Sequence, residues 1–305
     1  GEVMKLSKIL NNLVYIFVFF ILFFLGFFIV HSKNVNLNYK SNNILDVNTK
    51  VSFININDYI ENYYYNERKN VIDLRDLNSY LKSHLNNALY FNIDNILFNY
   101  NGIPNKLRNI ENLLYDLENM GIYKYNNFFI YSYSNDYLNK DFNIFVLASL
   151  LYIMKVNSIY IIENPFQNIS SNYLTSNVDY IKNKGYLSIN LAKNYFKNYF
   201  IDSNELENKI SKGYKLVFVY RDLTFNKDQL IPNSINLKVN FNKDKYVLGS
   251  YLSSYNVSKT DKIILYSYDL KNSLFMFFVI KIYMGYYDVL IYDGGLLEWK
   301  ALKNK

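Results

Sequence analysis

The chain has 305 residues, of which 50% are hydrophobic and 19% charged, so it can form the packed cores of two domains and is not disordered throughout. It contains no cysteine, which excludes disulfide bonds, thiolate metal sites and any reaction whose nucleophile is a cysteine of this chain. Its two histidines, His31 and His84, are too few for a multi-histidine metal centre. We therefore expect neither a metal nor a cofactor. The net charge of +7 comes from scattered lysines rather than from a dense basic block, so we expect no nucleic-acid partner.

The first recognisable element is an apolar run over residues 13–30, which follows a short flank over 1–12 and holds 18 residues without a charge. A helix of that length spans about 27 Å, enough to cross the hydrocarbon core of a bilayer. No small-residue cleavage site follows the run, so we expect an uncleaved transmembrane helix in contact with lipid. A cleaved signal peptide and a buried helix of a soluble protein are the alternatives. Lysines flank the run equally on both sides, which leaves its orientation open.

Residues 31–50 are polar and rich in asparagine, and we interpret them as a linker to a first domain over 51–170. Short apolar runs in this domain are typical of strands buried in a parallel sheet, and they cover 71–75, 128–132 and 158–162. Two segments have the spacing or the apolar length of helices, namely 109–120, which ends at Gly121, and 142–155. Strands that alternate with helices in this way predict a parallel α/β unit.

A second linker over 171–185 leads to a second domain over 186–305, in which the same order of elements returns. The predicted strands cover 216–221, 263–267 and 289–292, and the predicted apolar helix covers 273–284. The repeat is about 140 residues long, the size of a domain rather than of a solenoid unit. The sequence therefore predicts two tandem α/β domains with parallel sheets, preceded by one N-terminal transmembrane helix.

Three motifs in this repeat suggest a family. In the first, the strand ending Asp73-Leu74-Arg75 is followed by Tyr80 and by His84-Leu85-Asn86-Asn87-Ala88. The second lies in the second half and reads Ile231-Pro232-Asn233-Ser234-Ile235. In the third, a strand that ends at Tyr292 is followed by Asp293-Gly294-Gly295 and, four residues later, by Trp299. In these motifs the chain resembles the tandem rhodanese (thiosulfate sulfurtransferase) family, roughly over residues 50–302. The resemblance implies two rhodanese-like domains, with structural family positions at Asp73, Arg75, His84, Arg221, Asp293, Gly294, Gly295 and Trp299.

The resemblance also implies a catalytic cysteine after the third predicted strand of the second half, in a cradle of backbone N–H groups that would stabilise a thiolate and then a persulfide. Ser267 stands there instead, and the loop continues with Tyr268, Asp269, Leu270, Lys271 and Asn272. A serine hydroxyl cannot form a persulfide, and Asp269 would repel an anionic sulfur donor. Val219 replaces the aspartate expected beside Arg221, and Ser132 stands at the corresponding position of the first half. The site is thus predicted to be degenerate, with anion binding through Lys271 as the alternative.

From these observations we expect a catalytically inactive, membrane-anchored protein that serves as an accessory subunit of a membrane complex and contacts other protein subunits. The mitochondrial inner membrane is the favoured location. One alternative is a sulfurtransferase-type enzyme that uses the thiol of a partner protein. The other is a binding protein of the secretory pathway or plasma membrane, for which the glycosylation sequons at Asn168 and Asn256 would matter.

Overall fold

The computed structural model describes residues 48–178, 184–222, 225 and 227–303. The predicted transmembrane helix over 13–30 and most of the first linker lie outside the described residues. None of the helices in the described ranges is both long enough and apolar enough to cross a membrane.

Among its described residues, the first half contains nine strands and four α-helices. In chain order they are β1 (Lys50–Asn55), α1 (Ile56–Asn62), β2 (Lys69–Asp73), α2 (Leu77–Lys82), β3 (His84–Leu85), β4 (Ala88–Tyr90), β5 (Leu97–Tyr100), β6 (Ile103–Leu107), α3 (Ile110–Asn119), β7 (Asn127–Tyr131), α4 (Phe142–Ile153), β8 (Ser158–Glu163) and β9 (Leu174–Thr175). Five strands form one parallel sheet in the order β1-β8-β7-β2-β4. The pairs β5–β6 and β3–β9 are small antiparallel additions.

In the part of the second half that the structure describes, there are five strands and five α-helices. In chain order they are α5 (Ile189–Lys197), β10 (Phe200–Ile201), α6 (Ser203–Ser211), β11 (Lys215–Tyr220), β12 (Ile235–Lys238), α7 (Lys245–Ser254), β13 (Lys262–Ser267), α8 (Leu270–Phe277), β14 (Asp288–Tyr292) and α9 (Gly295–Lys303). A π-helical turn, Phe278–Tyr283, extends α8. The sheet is again parallel, in the order β10-β14-β13-β11-β12.

The observed elements agree with the predicted ones except at some ends. Helix α3 begins one residue later than predicted because Asn109 is its N-cap and accepts the N–H groups of Glu111 and Asn112. The strand predicted to reach Arg75 ends at Asp73, whose carboxylate turns back and accepts the Arg75 N–H. The helix predicted from 273 is wrong by three residues: Asp269 caps it, and it begins at Leu270.

Helices α4 and α8 join the two halves. Phe142 stacks on Phe275 with ring centroids 4.6 Å apart, and Phe145 stacks on Phe278 at 4.1 Å. The Ser149 hydroxyl donates a 2.7 Å hydrogen bond to the Leu274 carbonyl oxygen, so its buried polar group is satisfied across the same contact. The apolar length of α4 is therefore explained by burial against the other half, and the described residues of the two halves form one compact unit.

Candidate degenerate active site

Ser267 is the last residue of β13, and the chain closes over its side chain within the next few residues. It is only 4% exposed, and its hydroxyl donates to the Asp269 carbonyl oxygen at 2.6 Å. The Ser273 hydroxyl lies 2.7 Å away; because the one proton of Ser267 is already used, Ser273 donates in this contact. A backbone carbonyl cannot take up a proton, so these contacts provide no general base for Ser267.

The N-terminus of α8 is capped by the protein itself. The Asp269 carboxylate accepts the Lys271 N–H at 3.0 Å, and the Asp269 carbonyl oxygen accepts the Asn272 N–H at 2.9 Å. The Lys271 ammonium lies 2.8 Å from Asp94 of the first half and 3.9 Å from Asp269. A carboxylate thus lies where an anionic ligand would benefit from the helix dipole.

A cavity of about 430 Å³ opens beside this loop, between the two halves. Its charged residues are balanced, two cations against two carboxylates: Arg221, Lys271, Asp222 and Asp269. Val219 takes the place of the aspartate that the resemblance implies beside Arg221, and Arg221 has another partner: its Nε donates to Asp222 Oδ2 at 2.9 Å, and its guanidinium lies 4.8 Å from the Phe142 ring centroid. The cavity is polar without a net positive charge.

The corresponding loop of the first half is closed in a different way. Ser132 follows β7 and is buried, and no hydrogen-bond partner of its hydroxyl lies among the described residues. The backbone N–H groups of Tyr133, Ser134 and Asp136, at 2.8, 3.0 and 2.9 Å, all donate to the buried Asp141 carboxylate. A carboxylate of the chain therefore occupies this cradle. Sequence reasoning missed Asp141: it stands directly before α4, but its carboxylate makes no capping bond to that helix and instead accepts from the preceding loop.

Asp73 and Arg75 form a buried ion pair at 2.6 Å. Arg75 also donates to the Ser83 carbonyl oxygen at 2.6 Å, and its guanidinium lies 4.1 Å from the Phe166 ring centroid. Burial works to lower the pKa of Arg75, but the hydrogen bond and negative charge of Asp73 outweigh it, and the pKa is raised. The pair fastens the loop before β3.

His84 lies in β3 and is also buried. Its Nδ1 is 2.7 Å from the Tyr80 carbonyl oxygen, and its ring stacks on the Tyr80 ring at 3.9 Å. The Tyr80 hydroxyl in turn donates to the Ala88 carbonyl oxygen at 2.9 Å. The motif from Tyr80 to Ala88 is thus held together by its own residues, and these contacts of His84 are structural.

The Asp293-Gly294-Gly295 turn fastens the β5–β6 hairpin of the first half to the second half. Asp293 Oδ1 accepts the Leu107 N–H at 2.7 Å, and the Lys106 ammonium lies 2.8 Å from Glu298 and 3.8 Å from Asp293. Burial raises the pKa of Asp293, against the lowering effects of the Leu107 N–H and of Lys106. A Cβ at Gly294 would lie 1.8 Å from a Glu298 carboxylate oxygen, so glycine is needed there.

Gly295 and Trp299 place α9 against the degenerate loop. Gly295 has φ +56°, and a Cβ there would lie 2.3 Å from the Ser267 carbonyl oxygen. Trp299 packs against the smaller core cluster of the second half, and Lys300 of the same helix donates to the Tyr268 hydroxyl at 2.8 Å. Among the described residues, no group of three or more histidine, aspartate or glutamate side chains is arranged to hold a metal ion.

The comparisons with known proteins agree with this architecture. The family pattern of the Rhodanese-like domain matches residues 202–302. SseA from Escherichia coli, described as a 3-mercaptopyruvate sulfotransferase, superimposes with a TM-score of 0.62 at 14% identity over 80% of this chain and 98% of its own. A variant of EanB solved as a persulfide with ergothioneine gives 0.60 at 14% identity, over 81% of this chain and 67% of its own.

The anaerobic ergothioneine biosynthesis enzyme from Chlorobium limicola gives a TM-score of 0.56 at 14% identity, over 81% of this chain and 66% of its own. No curated protein matches the sequence. Parallel sheets in both halves, the family match and these superpositions define the rhodanese fold. Residues 202–302 match the Rhodanese-like domain, and both halves share the fold of these structures; the full sequence contains no cysteine.

Proposed function

We propose that the chain is a catalytically inactive rhodanese-like protein that serves as a membrane-anchored accessory subunit of a protein complex. The observation that carries the proposal is that both family loops are closed by the chain's own groups. Ser267 is bound to Asp269 and Ser273, and the Asp141 carboxylate fills the N–H cradle of the first half. Loops that are closed in this way stabilise the fold, and neither loop contains a sulfur atom that could react.

The chemistry supports the same proposal. Sulfur transfer by this fold family needs a thiolate that attacks a sulfane sulfur and then carries it as a persulfide, and the chain supplies no thiol. An alcohol would need a general base to become a nucleophile, and the Ser267 hydroxyl donates its hydrogen bond to a carbonyl oxygen, which is not a base. The apolar run over 13–30 supports attachment to a membrane. We favour the mitochondrial inner membrane.

An activity assay tests the catalytic half of the proposal. The purified full chain is incubated with thiosulfate and cyanide, with SseA from Escherichia coli as a control for the assay conditions. We expect thiocyanate formation at the rate of the protein-free buffer. Turnover above that background, or sulfane sulfur bound to the purified chain, would contradict the proposal.

Isolation of the native assembly tests the structural half. Mild detergent extraction followed by cross-linking and mass spectrometry is expected to recover the chain with other membrane-protein subunits. Recovery as a lone monomer under the same conditions would count against an accessory role. Protease protection and glycan analysis at Asn168 and Asn256 address the secretory alternative, which occupied glycans would favour.

The polar cavity favours one second candidate, an enzyme that borrows a partner's thiol. Arg221 and Lys271 line this cavity and could orient a thiosulfate anion. The partner's thiolate would attack the sulfane sulfur, the S–S bond would break, sulfite would leave, and the partner would carry the persulfide. Addition of a thiol protein to the assay tests this: chain-dependent sulfite release that Lys271→Ala abolishes would support it, and no release would exclude it.

A further inference from the structure

The five strands of the first sheet are parallel, so their N-terminal ends lie along one edge of the sheet. The family loops with Asp73 and Ser132 lie at the opposite edge, after the strand ends. Five segments form the N-terminal edge, which we call the basal surface: 48–50, 64–70, 122–127, 154–158 and 184–187.

Hydrogen bonds tie these segments into a continuous surface. The Lys50 N–H donates to the Asn157 carbonyl oxygen, the Asn157 N–H to that of Lys124, and the Lys124 N–H to that of Tyr186. Asn127 donates in the same way to Arg68. The basal surface is therefore one patch built from segments far apart in sequence.

The composition of this patch is distinctive. Its 25 residues include five lysines, one arginine and five tyrosines, and Glu67 is its one acidic residue. Lys124 is buried, and Lys184 lies 3.6 Å from Glu118, so the exposed positive charge comes mainly from Lys50 and Arg68, with Lys69 and Lys155 partly exposed. The tyrosines are Tyr64, Tyr65, Tyr123, Tyr125 and Tyr186; Tyr65 and Tyr125 are 82% and 62% exposed. Lysine and tyrosine have an apolar body and a polar tip, which suits both to the boundary between water and lipid headgroups.

The chain joins the body at this patch. Residue 48 is the first described residue, and the Thr49 hydroxyl donates to the Val156 carbonyl oxygen at 2.6 Å. In sequence, 17 residues, 31–47, separate the apolar run over 13–30 from this point. If that run is held in a bilayer, the chain links the body to the bilayer at the basal surface, and such a tether allows even a weak surface contact to be populated.

We propose that the basal surface rests on the anionic headgroups of a phospholipid bilayer. The inference rests on the membrane attachment in the proposed function and adds how the body contacts that membrane. The positive charge of the patch favours anionic lipid, and its tyrosines sit at headgroup depth. In this arrangement the edge that carries Ser132 and the ends of the other strands points away from the lipid.

The absence of native cysteine makes the test clean, because an introduced cysteine is the only labelling site. Full-length Tyr125→Cys carries a polarity-sensitive fluorophore on the basal surface, and Tyr246→Cys, at an 83% exposed position on α7, is the matched control. Both are reconstituted into phosphatidylcholine vesicles with and without phosphatidylserine, with a quencher attached to lipid headgroups. We expect a blue shift and quenching at position 125, larger with phosphatidylserine, and neither at position 246.

Charge reversal separates lipid contact from other causes. Lys50→Glu with Arg68→Glu is expected to abolish the effect of phosphatidylserine at position 125, whereas Lys212→Glu with Lys259→Glu on exposed positions of the second half should leave it intact. Circular dichroism checks that each variant is folded. Equal quenching at positions 125 and 246, no response to phosphatidylserine, or quenching that requires an added protein partner would overturn the inference.

Membrane attachment itself is measured in a separate experiment, in which the vesicles are extracted with alkaline carbonate and the chain that remains with them is determined. A chain that is extracted contradicts the anchor, and the label comparison on the same vesicles still decides the basal surface. A chain that is retained but shows equal quenching at both positions contradicts the basal surface alone.

Discussion

Asp141 shows how a single side chain can replace a ligand. Its carboxylate receives three backbone N–H groups in the interior, and each of these donors would lose its partner if the side chain were shortened. The sequence indicated Ser132 and Ser267 as the altered positions, because they follow predicted strands. It could not indicate Asp141, because the path of the loop that brings these N–H groups together depends on tertiary packing.

We expect Asp141→Ala to lower the free energy of unfolding by about 2–4 kcal/mol, since three buried donors lose a charged acceptor. Urea denaturation followed by circular dichroism measures the change. Asp222→Ala, which removes an exposed carboxylate that pairs with Arg221, is the control and should cost less than about 1 kcal/mol. If the two substitutions lower the free energy of unfolding equally, the three hydrogen bonds to Asp141 do not stabilise the protein more than an exposed ion pair does.

Gly295 allows a second residue-level test, because its backbone has positive φ and its neighbour is close. Gly295→Ala should destabilise the protein more than Gly213→Ala, which also has positive φ but has open space around it. Gly213→Ala reports the backbone cost of about 1 kcal/mol, and any excess at Gly295 reports the approach to the Ser267 carbonyl oxygen. If both variants melt alike, α9 does not depend on that close approach.

At the level of elements, strands with continuous apolar runs, the apolar helices α4 and α8 and the amphipathic helix α3 were predictable, and the short strands with few apolar residues were not. Strands β2, β7, β8, β11, β13 and β14 were recognised from their runs. The sequence analysis missed the β5–β6 hairpin, whose strands are exposed on one side and are held by Lys106 and Leu107 against the second half. Helix α8 extends into a π-helical turn that the 3.6-residue period did not indicate.

The hairpin contact predicts a pH dependence. Because the pKa of Asp293 is raised above its ordinary value of 3.8, the folded protein binds this proton more tightly than the unfolded chain. Its contribution to stability should therefore decrease as the pH rises above about 4 through the folded pKa. Asp293→Asn, which keeps an acceptor for the Leu107 N–H, should flatten this decrease in denaturation series between acidic and neutral pH. An unchanged slope would contradict the assignment.

At the level of the whole molecule, the contact between α4 and α8 joins the two halves into one compact unit. Phe145 is fully buried and stacks on both Tyr137 and Phe278, so it belongs to both sides of that contact. The repeat of about 140 residues predicted two domains. It did not predict that their apolar helices would pack against each other, because a helix that is apolar all round has no face that indicates its partner.

We expect Phe145→Ala to lower the free energy of unfolding by about 3–5 kcal/mol through the cavity that it leaves. Both sheets should then be lost in a single transition at lower urea concentration. Tyr246→Ala, at an exposed position, should leave the midpoint unchanged. Two separate transitions in the Phe145→Ala variant would show that the halves are independently stable.

Trp299 is the only tryptophan of the chain; it is partly buried, packs against the smaller core cluster of the second half and has the Lys303 ammonium 4.5 Å from its ring centroid. Its fluorescence emission therefore reports the unfolding of the second half, which contains this tryptophan, and not that of the first half. Recorded alongside a signal from the whole backbone, it distinguishes concerted from sequential opening without any added dye.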